Sequence, residues 1–325
     1  MEITTLKNKN TQTSLSLISF IEFVELKTKV ASIFPMLISF LWSQYYYHIF
    51  NTLNSLIFII AVISFDMCTT AINNTVDYHK AVDFSYKWQE NVIGKYQLNV
   101  KQMIKIIFLL LGISTFFSLL LVLLTDFLLL PMGIVCFLIG IFYTYGPKPL
   151  SRLPLGEFFS GFTMGFGIFF LALYIQFPQR LMTSQITLSQ VTISWDIGEI
   201  ALVFLMSLPL VTLIANIMLA NNLCDYEQDV KNQRYTLVHY IGIQNALALY
   251  TVFNLFPWIV WLVFLFGQLI PWYGLLIYPF FLLNWKSLKR FKKEQIKSNT
   301  FIEAIKSFSL FSGLYILTLL LGLLF

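Results

Sequence analysis

Apolar stretches of about 20 residues, separated by short polar segments, dominate this chain of 325 residues. A helix needs roughly 20 apolar residues to cross a bilayer, so each stretch predicts one membrane span. Nine spans are predicted, near residues 31–49, 52–74, 103–125, 127–145, 157–177, 198–220, 243–267, 269–284 and 304–325. The eighth is short and carries Pro271 and Pro279, so a total of eight also fits. With 58% apolar and 11% charged residues, against about 25% charged in soluble domains, the chain is predicted to be an all-α polytopic membrane protein.

Lysine and arginine residues fall almost entirely on one side of these predicted spans. Nineteen of the 21 lie near the amino terminus or in the loops after the second, fourth, sixth and eighth spans. Short loops rich in these residues stay in the cytoplasm, so the amino terminus and the loops 75–102 and 221–242 are predicted to be cytoplasmic in a cell-membrane protein. The net charge of +5 follows from this topology, and no nucleic-acid partner is expected.

Residues 1–30 form an N-terminal segment in which apolar residues accompany Glu22 and Glu25. These acids argue against a signal peptide, which requires an uncharged apolar region. The mixed pattern instead predicts an interfacial helix that leads into the first span. Residues 31–325 are interpreted as a single transmembrane domain.

The second predicted span ends in a cluster of acidic and amide residues. Asn73 and Asp77 are four residues apart and therefore project from one face of a helix, while Asp66 lies about two turns deeper on nearly the same stripe. Lys80 and Asp83 follow within the same segment. An ionisable side chain within a span is costly, so Asp66 is predicted to be functional.

The sixth predicted span ends in a second cluster, formed by Asn221, Asn222, Asp225, Asp229, Lys231 and Arg234. Asn221, Asp225 and Asp229 form a column spaced by four residues on one helical face. Like charges at this spacing repel each other, so the column does not serve the stability of the helix by itself. A divalent cation would reverse the repulsion.

Carboxylates with amides, and no group of histidine or thiol ligands, favour a hard cation such as Mg²⁺, which completes its shell with phosphate oxygens. The adjacent lysines and arginine would neutralise the remaining phosphate charge. Either cluster alone is more typical of a solvated helix end. Because Asp77 and Asp225 are 148 residues apart at equivalent span ends, we interpret the chain as a duplication over residues 31–150 and 157–284, followed by a last helix at 304–325.

At these positions the chain resembles the UbiA superfamily of intramembrane prenyltransferases. The resemblance is carried by Asn73, Asp77 and Asp83 in one motif, by Asn221, Asn222, Asp225 and Asp229 in the other, and by Lys80 and the segments 25–35, 143–149 and 155–157. It implies about nine transmembrane helices around a central cavity that holds Mg²⁺-bound diphosphate. The implied metal ligands are Asn73, Asp77, Asp225 and Asp229, and the implied substrate-binding residues are Lys80, Asp83, Arg152, Asn221, Asn222, Lys231 and Arg234.

The spacing is most similar to the branch of this family that prenylates 1,4-dihydroxy-2-naphthoate. The resemblance therefore implies transfer of a polyprenyl group from polyprenyl diphosphate to this aromatic acid, with loss of CO₂, giving demethylmenaquinol. Four positions depart from the usual pattern: Asn74 replaces an aspartate, Cys224 replaces an arginine, and Gln233-Arg234 replaces Gly-Lys.

The chemistry requires stabilisation of an allylic cation, and we assign this role to the rings of Tyr143 and Tyr145 near the cytoplasmic rim. Asp66 either assists deprotonation of the acceptor or bonds to Thr69, Thr70 or a neighbouring helix. An acceptor carboxylate also favours a cationic rim, for which Arg152 is a candidate.

Two alternatives remain open. One is a prenyltransferase for another aromatic acceptor such as 4-hydroxybenzoate. The other is a secondary transporter, although transporters place their binding groups near the midplane of the membrane and these acids lie at span ends.

Overall fold

α-Helices make up most of the computed structural model, which describes residues 15–81, 84–147, 149–186, 189–231 and 234–325. In this part of the chain they are α1 (Leu17–Phe23), α2 (Val30–Trp42), α3 (Thr52–Lys80), α4 (Val92–Lys95), α5 (Val100–Leu124), α6 (Leu129–Thr144), α7 (Gly156–Ser160), α8 (Ile168–Tyr174), α9 (Pro178–Leu181), α10 (Ile197–Cys224), α11 (Tyr226–Lys231), α12 (Leu237–Phe266), α13 (Phe281–Lys293) and α14 (Ile302–Leu324). Short 3₁₀ or π-helical segments adjoin them at Leu26–Lys29, Ser43–Tyr47, Tyr86–Glu90, Leu150–Arg152, Gly161–Gly167 and Trp272–Phe280.

Six helical segments of the described chain are long and apolar enough to cross a membrane: α3, α5, the continuous segment Gly156–Tyr174, α10, α12 and α14. Three predicted spans fall on other segments. The first coincides with α2 and the π-helical turn after it, the fourth with the 16-residue α6, and the eighth with Trp272–Phe280 and the start of α13. The all-α multi-pass architecture is confirmed, whereas the predicted count of nine spans is not.

Between α9 and α10 the chain forms a β-hairpin that was not predicted from the sequence. Strand β1 (Met182–Ile186) pairs antiparallel with β2 (Val191–Trp195), and Met182 lies opposite Trp195. Threonine, isoleucine and valine occur in these strands, and such β-branched residues favour extended backbone. The hairpin is a small addition to the helical fold.

The N-terminal segment contains α1, which begins after the capping residue Ser16. Leu17 and Ile18 are exposed, whereas Phe23 is buried. Glu22 holds the segment to the following loop, because its carboxylate accepts hydrogen bonds from Lys95 and from Tyr96, both at 2.8 Å. The location of α1 at the membrane interface stays a prediction.

The span α10 is the most buried of the six and packs against α7, α12, α14 and the π-helical segment Gly161–Gly167. Two glycines allow the close approach of that segment. A Cβ atom at Gly161 would lie 2.5 Å from the Val211 carbonyl oxygen, and one at Gly165 would lie 2.6 Å from the Val211 Cα atom. Small residues four apart commonly permit such contacts between membrane helices.

Among the described elements, the most extensive helix packing joins α3 to α5 and α10 to α12. These pairs occupy equivalent places in the two halves of the predicted duplication. α12 is interrupted near its start by Gly242, whose φ of 79° is a conformation that glycine adopts readily. The interruption separates the first turn of α12 from the apolar part of the helix.

Candidate active site

The first acidic cluster lies at the carboxyl end of α3, which continues to Lys80. Asn73 and Asp77 are one turn apart there, as predicted, and both residues are partly buried. The Asp77 carboxylate interacts electrostatically with Arg234, Arg152 and Lys80. Two of these three cations belong to distant parts of the chain, so Asp77 faces the loops that follow α6 and α11.

The second cluster spans a break between two helices. α10 ends at Cys224, Asp225 follows as the capping residue, and α11 begins at Tyr226. The spacing of four residues nevertheless persists, because the Asp225 amide donates to the Asn221 carbonyl at 3.0 Å and the Asp229 amide donates to the Asp225 carbonyl at 2.8 Å. The predicted column of Asn221, Asp225 and Asp229 is therefore retained across the break.

Arg234 and Arg152 connect the two clusters. The Arg234 guanidinium lies 3.5 Å from the Asp229 carboxylate and also donates to the Ser151 carbonyl at 3.1 Å and 3.3 Å. Arg152 acts electrostatically on both Asp77 and Asp229. The acids of α3 and α11 thus share the same two arginines, which places the clusters around one region.

Asp229 is 6% exposed, and its burial has an electrostatic consequence. Loss of hydration raises the pKa of Asp229 from 3.8 to about 6, and the nearby Arg234 offsets part of this rise. The ionised carboxylate is therefore undercompensated in the chain alone.

Several buried oxygen atoms at this end of the fold have no hydrogen-bond partner among the described residues. They are Asp229 Oδ2, Asn222 Oδ1 and Glu157 Oε2. Asn222 and Glu157 are joined to each other, since the Asn222 amide donates to Glu157 Oε1 at 2.8 Å. Unpartnered buried acceptors are costly, and a bound cation or a donor from a ligand would relieve them.

The donor set fits Mg²⁺ that is completed by a substrate. In the described part of the chain, no three histidine, cysteine, aspartate or glutamate side chains lie close enough together to hold one ion. Mg²⁺ is usually held by one or two carboxylates together with substrate phosphates, so pairs such as Asp225 and Asp229 suffice. The unpartnered oxygen of Asp229 agrees with this interpretation.

Lys297, in the loop after α13, contacts the end of α10. No role was predicted for it from the sequence. Its ammonium is 2.6 Å from Asp225 Oδ2 and donates a second hydrogen bond to Asn221 Oδ1. It acts electrostatically on Asp229 and on Glu25 as well. Lys297 therefore belongs to the second cluster.

Asp66 lies within α3 and is engaged by the N-terminal segment. Its carboxylate is 2.7 Å from the Lys29 ammonium and accepts a hydrogen bond from Ser32 at 2.5 Å. Thr69 and Thr70 donate to the Asp66 backbone carbonyl rather than to the carboxylate. Of the two predicted roles, the bond to a neighbouring helix is the one observed.

The Asn74 side chain explains one departure from the usual motif. It is 8% exposed, and its amide donates to the Phe23 carbonyl at 2.9 Å and to Glu25 Oε1 at 3.4 Å. An ionised aspartate has no hydrogen to donate to either oxygen. The asparagine thus suits the packing of the N-terminal segment on α3.

The remaining predicted site residues do not all lie close to the two acidic clusters. Tyr143 approaches the site, because its hydroxyl is 3.4 Å from the Gly156 carbonyl and its ring lies within the field of Arg234. Tyr145 is 57% exposed beyond the end of α6, which offers no support for a role in a dry cavity. Lys231 is exposed at the end of α11, and Asp83 lies outside the described residues.

Three residues that contact the predicted site residues were assigned no individual role from the sequence. Lys29 and Lys297 lay among the basic residues attributed to topology, and their partners are distant in sequence. Glu157 offered a usable signal, since an acid at the start of a predicted span is unusual.

The profile of the UbiA prenyltransferase family matches residues 32–312. The chain belongs to the UbiA prenyltransferase family. This enzyme is therefore a multi-pass membrane prenyltransferase, as the motif resemblance predicted.

Individual relatives agree with this assignment. The prenyltransferase is 26% identical over 252 residues to a 1,4-dihydroxy-2-naphthoate octaprenyltransferase from Bacillus subtilis (strain 168), covering 75% of this chain and 73% of that protein. A UbiA homolog from Archaeoglobus fulgidus bound to GPP and Mg²⁺ has a TM-score of 0.63 at 11% identity and covers 94% of this chain and 100% of that one. The apo structure of a UbiA homolog from Aeropyrum pernix K1 has a TM-score of 0.65 at 14% identity, covering 90% of this chain and 96% of that one. The two structures show that the fold is shared.

Proposed function

We propose that this prenyltransferase transfers a polyprenyl group from polyprenyl diphosphate to 1,4-dihydroxy-2-naphthoate, in a Mg²⁺-dependent reaction that releases CO₂. The observation that carries the proposal is the pair of arginines, Arg152 and Arg234, shared by the acids at the ends of α3 and α11. A diphosphate bound between the clusters would meet carboxylates on two sides and these guanidinium groups beside it.

The proposed metal ligands are Asn73 and Asp77 from α3 and Asp225 and Asp229 from the second cluster. Mg²⁺, when bound, stabilises the negative charge that develops on the departing diphosphate. Carboxylate and amide oxygens with substrate phosphates are the ligands that this ion prefers. The GPP and Mg²⁺ bound to the Archaeoglobus fulgidus homolog support the same chemistry here.

The cationic side chains are proposed to hold the diphosphate itself. Arg234 is anchored by the Ser151 carbonyl and by Asp229. The planar donors of Arg152 and Arg234 suit bidentate pairing with phosphate oxygens. Lys80 and Lys231 are exposed at the ends of α3 and α11 and would contact the outer phosphate oxygens. Asn221, Asn222 and Asp83 are proposed to complete the substrate contacts around the metal.

Transfer to the acceptor balances without an external acid or base. The C–O bond of the donor breaks and its electron pair leaves with diphosphate, while the hydroquinone ring carbon that bears the carboxylate forms the new C–C bond. The acceptor carboxylate leaves as CO₂, and the electron pair of its C–C bond stays on the ring. The Tyr143 ring is proposed to stabilise the allylic cation. The catalytic roles of Tyr145 and Asp66 stay predictions.

The choice of acceptor rests on the motif spacing and on the relative from Bacillus subtilis, which is a 1,4-dihydroxy-2-naphthoate octaprenyltransferase.

We propose that the reaction occurs at the cytoplasmic face of the cell membrane, with the amino terminus inside, because the basic loops adjoin the site. We further propose a single transmembrane domain over residues 31–325, with residues 1–30 at the interface and a duplication over 31–150 and 157–284. The matching pairs α3 with α5 and α10 with α12 support the duplication.

The test supplies membranes containing the enzyme with Mg²⁺, farnesyl or longer prenyl diphosphate, and each aromatic acid in turn. Release of CO₂ and a prenylated naphthoquinol are expected from 1,4-dihydroxy-2-naphthoate, with much weaker product from 4-hydroxybenzoate. Asp77→Asn and Asp225→Asn should each abolish turnover, whereas Glu227→Gln, at an exposed acid of α11, should retain it. Preference for 4-hydroxybenzoate would refute the acceptor, and full activity of both asparagine variants would refute the metal site.

A further inference from the structure

Lys297 occupies the space between two side chains that we propose as diphosphate and metal contacts. Its ammonium lies 2.6 Å from Asp225 Oδ2 and also bonds to Asn221 Oδ1. Both acceptors come from the end of α10, 72 and 76 residues earlier in the chain. The lysine therefore offsets the charge of the Asp225 carboxylate.

The loop that carries Lys297 is held in place by its own hydrogen bonds. Thr300 is 5% exposed, and its hydroxyl accepts from the Ile296 amide and donates to the Glu294 carbonyl, both at 2.8 Å. Asn299 bonds to the Glu294 carboxylate at 3.3 Å. This bracing fixes the backbone of the loop beside α10 and leaves the long lysine side chain as the adjustable part.

An ammonium and a divalent cation repel each other and compete for the same oxygen atoms. The Lys297 side chain is 47% exposed and its ammonium lies 5.0 Å from the centre of the Phe301 ring, so it can turn away without leaving the site. Cys224 lies in the same cluster but is uncharged, so it cannot supply the positive charge that Lys297 supplies. A diphosphate bound at Asp225 would then present oxygen atoms to the released ammonium.

We propose that Lys297 is a diphosphate-binding residue that exchanges partners: it pairs with Asn221 and Asp225 in the empty enzyme and with the diphosphate of the donor when metal and donor bind. The inference rests on the proposed function, since it requires metal and diphosphate at the second cluster. It assigns the loop between α13 and α14 a direct part in recognising the donor.

The test measures binding rather than turnover, with Mn²⁺ as the metal probe and inorganic pyrophosphate as the anion. In Lys297→Met, binding of Mn²⁺ alone should become about twofold to fivefold tighter, because a competing and partly exposed ion pair is removed. Binding of pyrophosphate in the presence of Mn²⁺ should become about tenfold weaker, because a charge-assisted hydrogen bond is lost. Lys297→Arg should retain most of the pyrophosphate affinity.

The matched control is Lys293→Met, which removes an exposed cation from the end of α13. It should leave both affinities unchanged. If Lys297→Met behaves like Lys293→Met while Asp225→Asn abolishes binding, the exchange is overturned and the proposed function stands. If Asp225→Asn also binds normally, the proposed function itself fails. Weaker binding of both Mn²⁺ and pyrophosphate in Lys297→Met would show a structural role for the lysine and would overturn the exchange.

Discussion

Replacing Asp229 by asparagine is expected to stabilise the metal-free enzyme and to weaken its binding of divalent cations. The residue is 6% exposed, and one carboxylate oxygen has no hydrogen-bond partner among the described residues. Burial raises the pKa of Asp229 from 3.8 to about 6, despite the nearby Arg234. The ionised carboxylate therefore costs free energy in the folded chain, and the proposed metal would recover it.

The size of the effect follows from the pKa. A rise of about two units corresponds to an upper limit of about 3 kcal/mol at pH 8, where Asp229 is ionised in both the folded and unfolded chains. Asparagine still buries polar atoms and loses its attraction to the Arg234 guanidinium at 3.5 Å. A net gain of about 1–2 kcal/mol is expected, which corresponds to an unfolding midpoint higher by about 3 °C.

The pH dependence has a definite sign. Because the pKa of this acid is higher in the folded chain, its destabilising contribution is complete above pH 6 and disappears as the pH falls toward 3.8. At pH 5 the ionisation penalty is about half of its full value of about 3 kcal/mol, so the net advantage of Asp229→Asn should fall by about 1.5 kcal/mol and nearly disappear.

The assay is thermal unfolding in detergent with EDTA, followed by tryptophan fluorescence, together with Mn²⁺ binding measured by electron paramagnetic resonance. Glu227→Gln, at an exposed acid of the same helix α11, should change neither quantity. A lower unfolding midpoint in Asp229→Asn, or unchanged Mn²⁺ affinity, would refute this reasoning.

Three further substitutions test the packing around the site. Asn74→Asp, which restores the aspartate usual in the motif, should destabilise the enzyme by about 2 kcal/mol, because two donated hydrogen bonds are lost and Glu25 is repelled. An unchanged midpoint of thermal unfolding would contradict this. Gly161→Leu should lower the midpoint or the yield of folded protein, because its Cβ would meet a backbone oxygen of α10 at 2.5 Å; a folded variant of full stability would show that α10 can move away. Lys29→Met should lower the free energy of unfolding by about 3–5 kcal/mol, because it leaves the carboxylate of Asp66 without its cation. The added change Asp66→Asn should restore much of this stability, and the absence of any recovery would argue against the ion pair.

Most of the helical architecture could be predicted from the sequence because long apolar runs permit few other structures in a bilayer. The eighth predicted span was less well defined, since Pro271 and Pro279 remove backbone donors and the segment forms a 3₁₀ helix before α13. The hairpin at 182–195 escaped prediction because its strands are short and partly polar, and hydropathy does not register them.

The acidic residues of the site could be identified because their spacing is local, within one or two helical turns. Their partners could not, because contacts such as Lys29 with Asp66 and Lys297 with Asp225 join residues 37 and 72 positions apart. A basic residue near a membrane looks the same in sequence whether it sets topology or neutralises an acid. Only the packing of α2 and of the loop after α13 separates these roles.

The most direct test of the account is the affinity for inorganic pyrophosphate in the presence of Mg²⁺, measured by calorimetry in a double-mutant cycle of Asp77→Asn and Asp225→Asn. If the two acids hold one metal–diphosphate complex, each substitution alone should reduce affinity at least tenfold, and the double variant should bind scarcely more weakly than the worse single variant. Losses that add in full would place the two acids in independent sites, and unchanged affinity in both single variants would contradict the central claim.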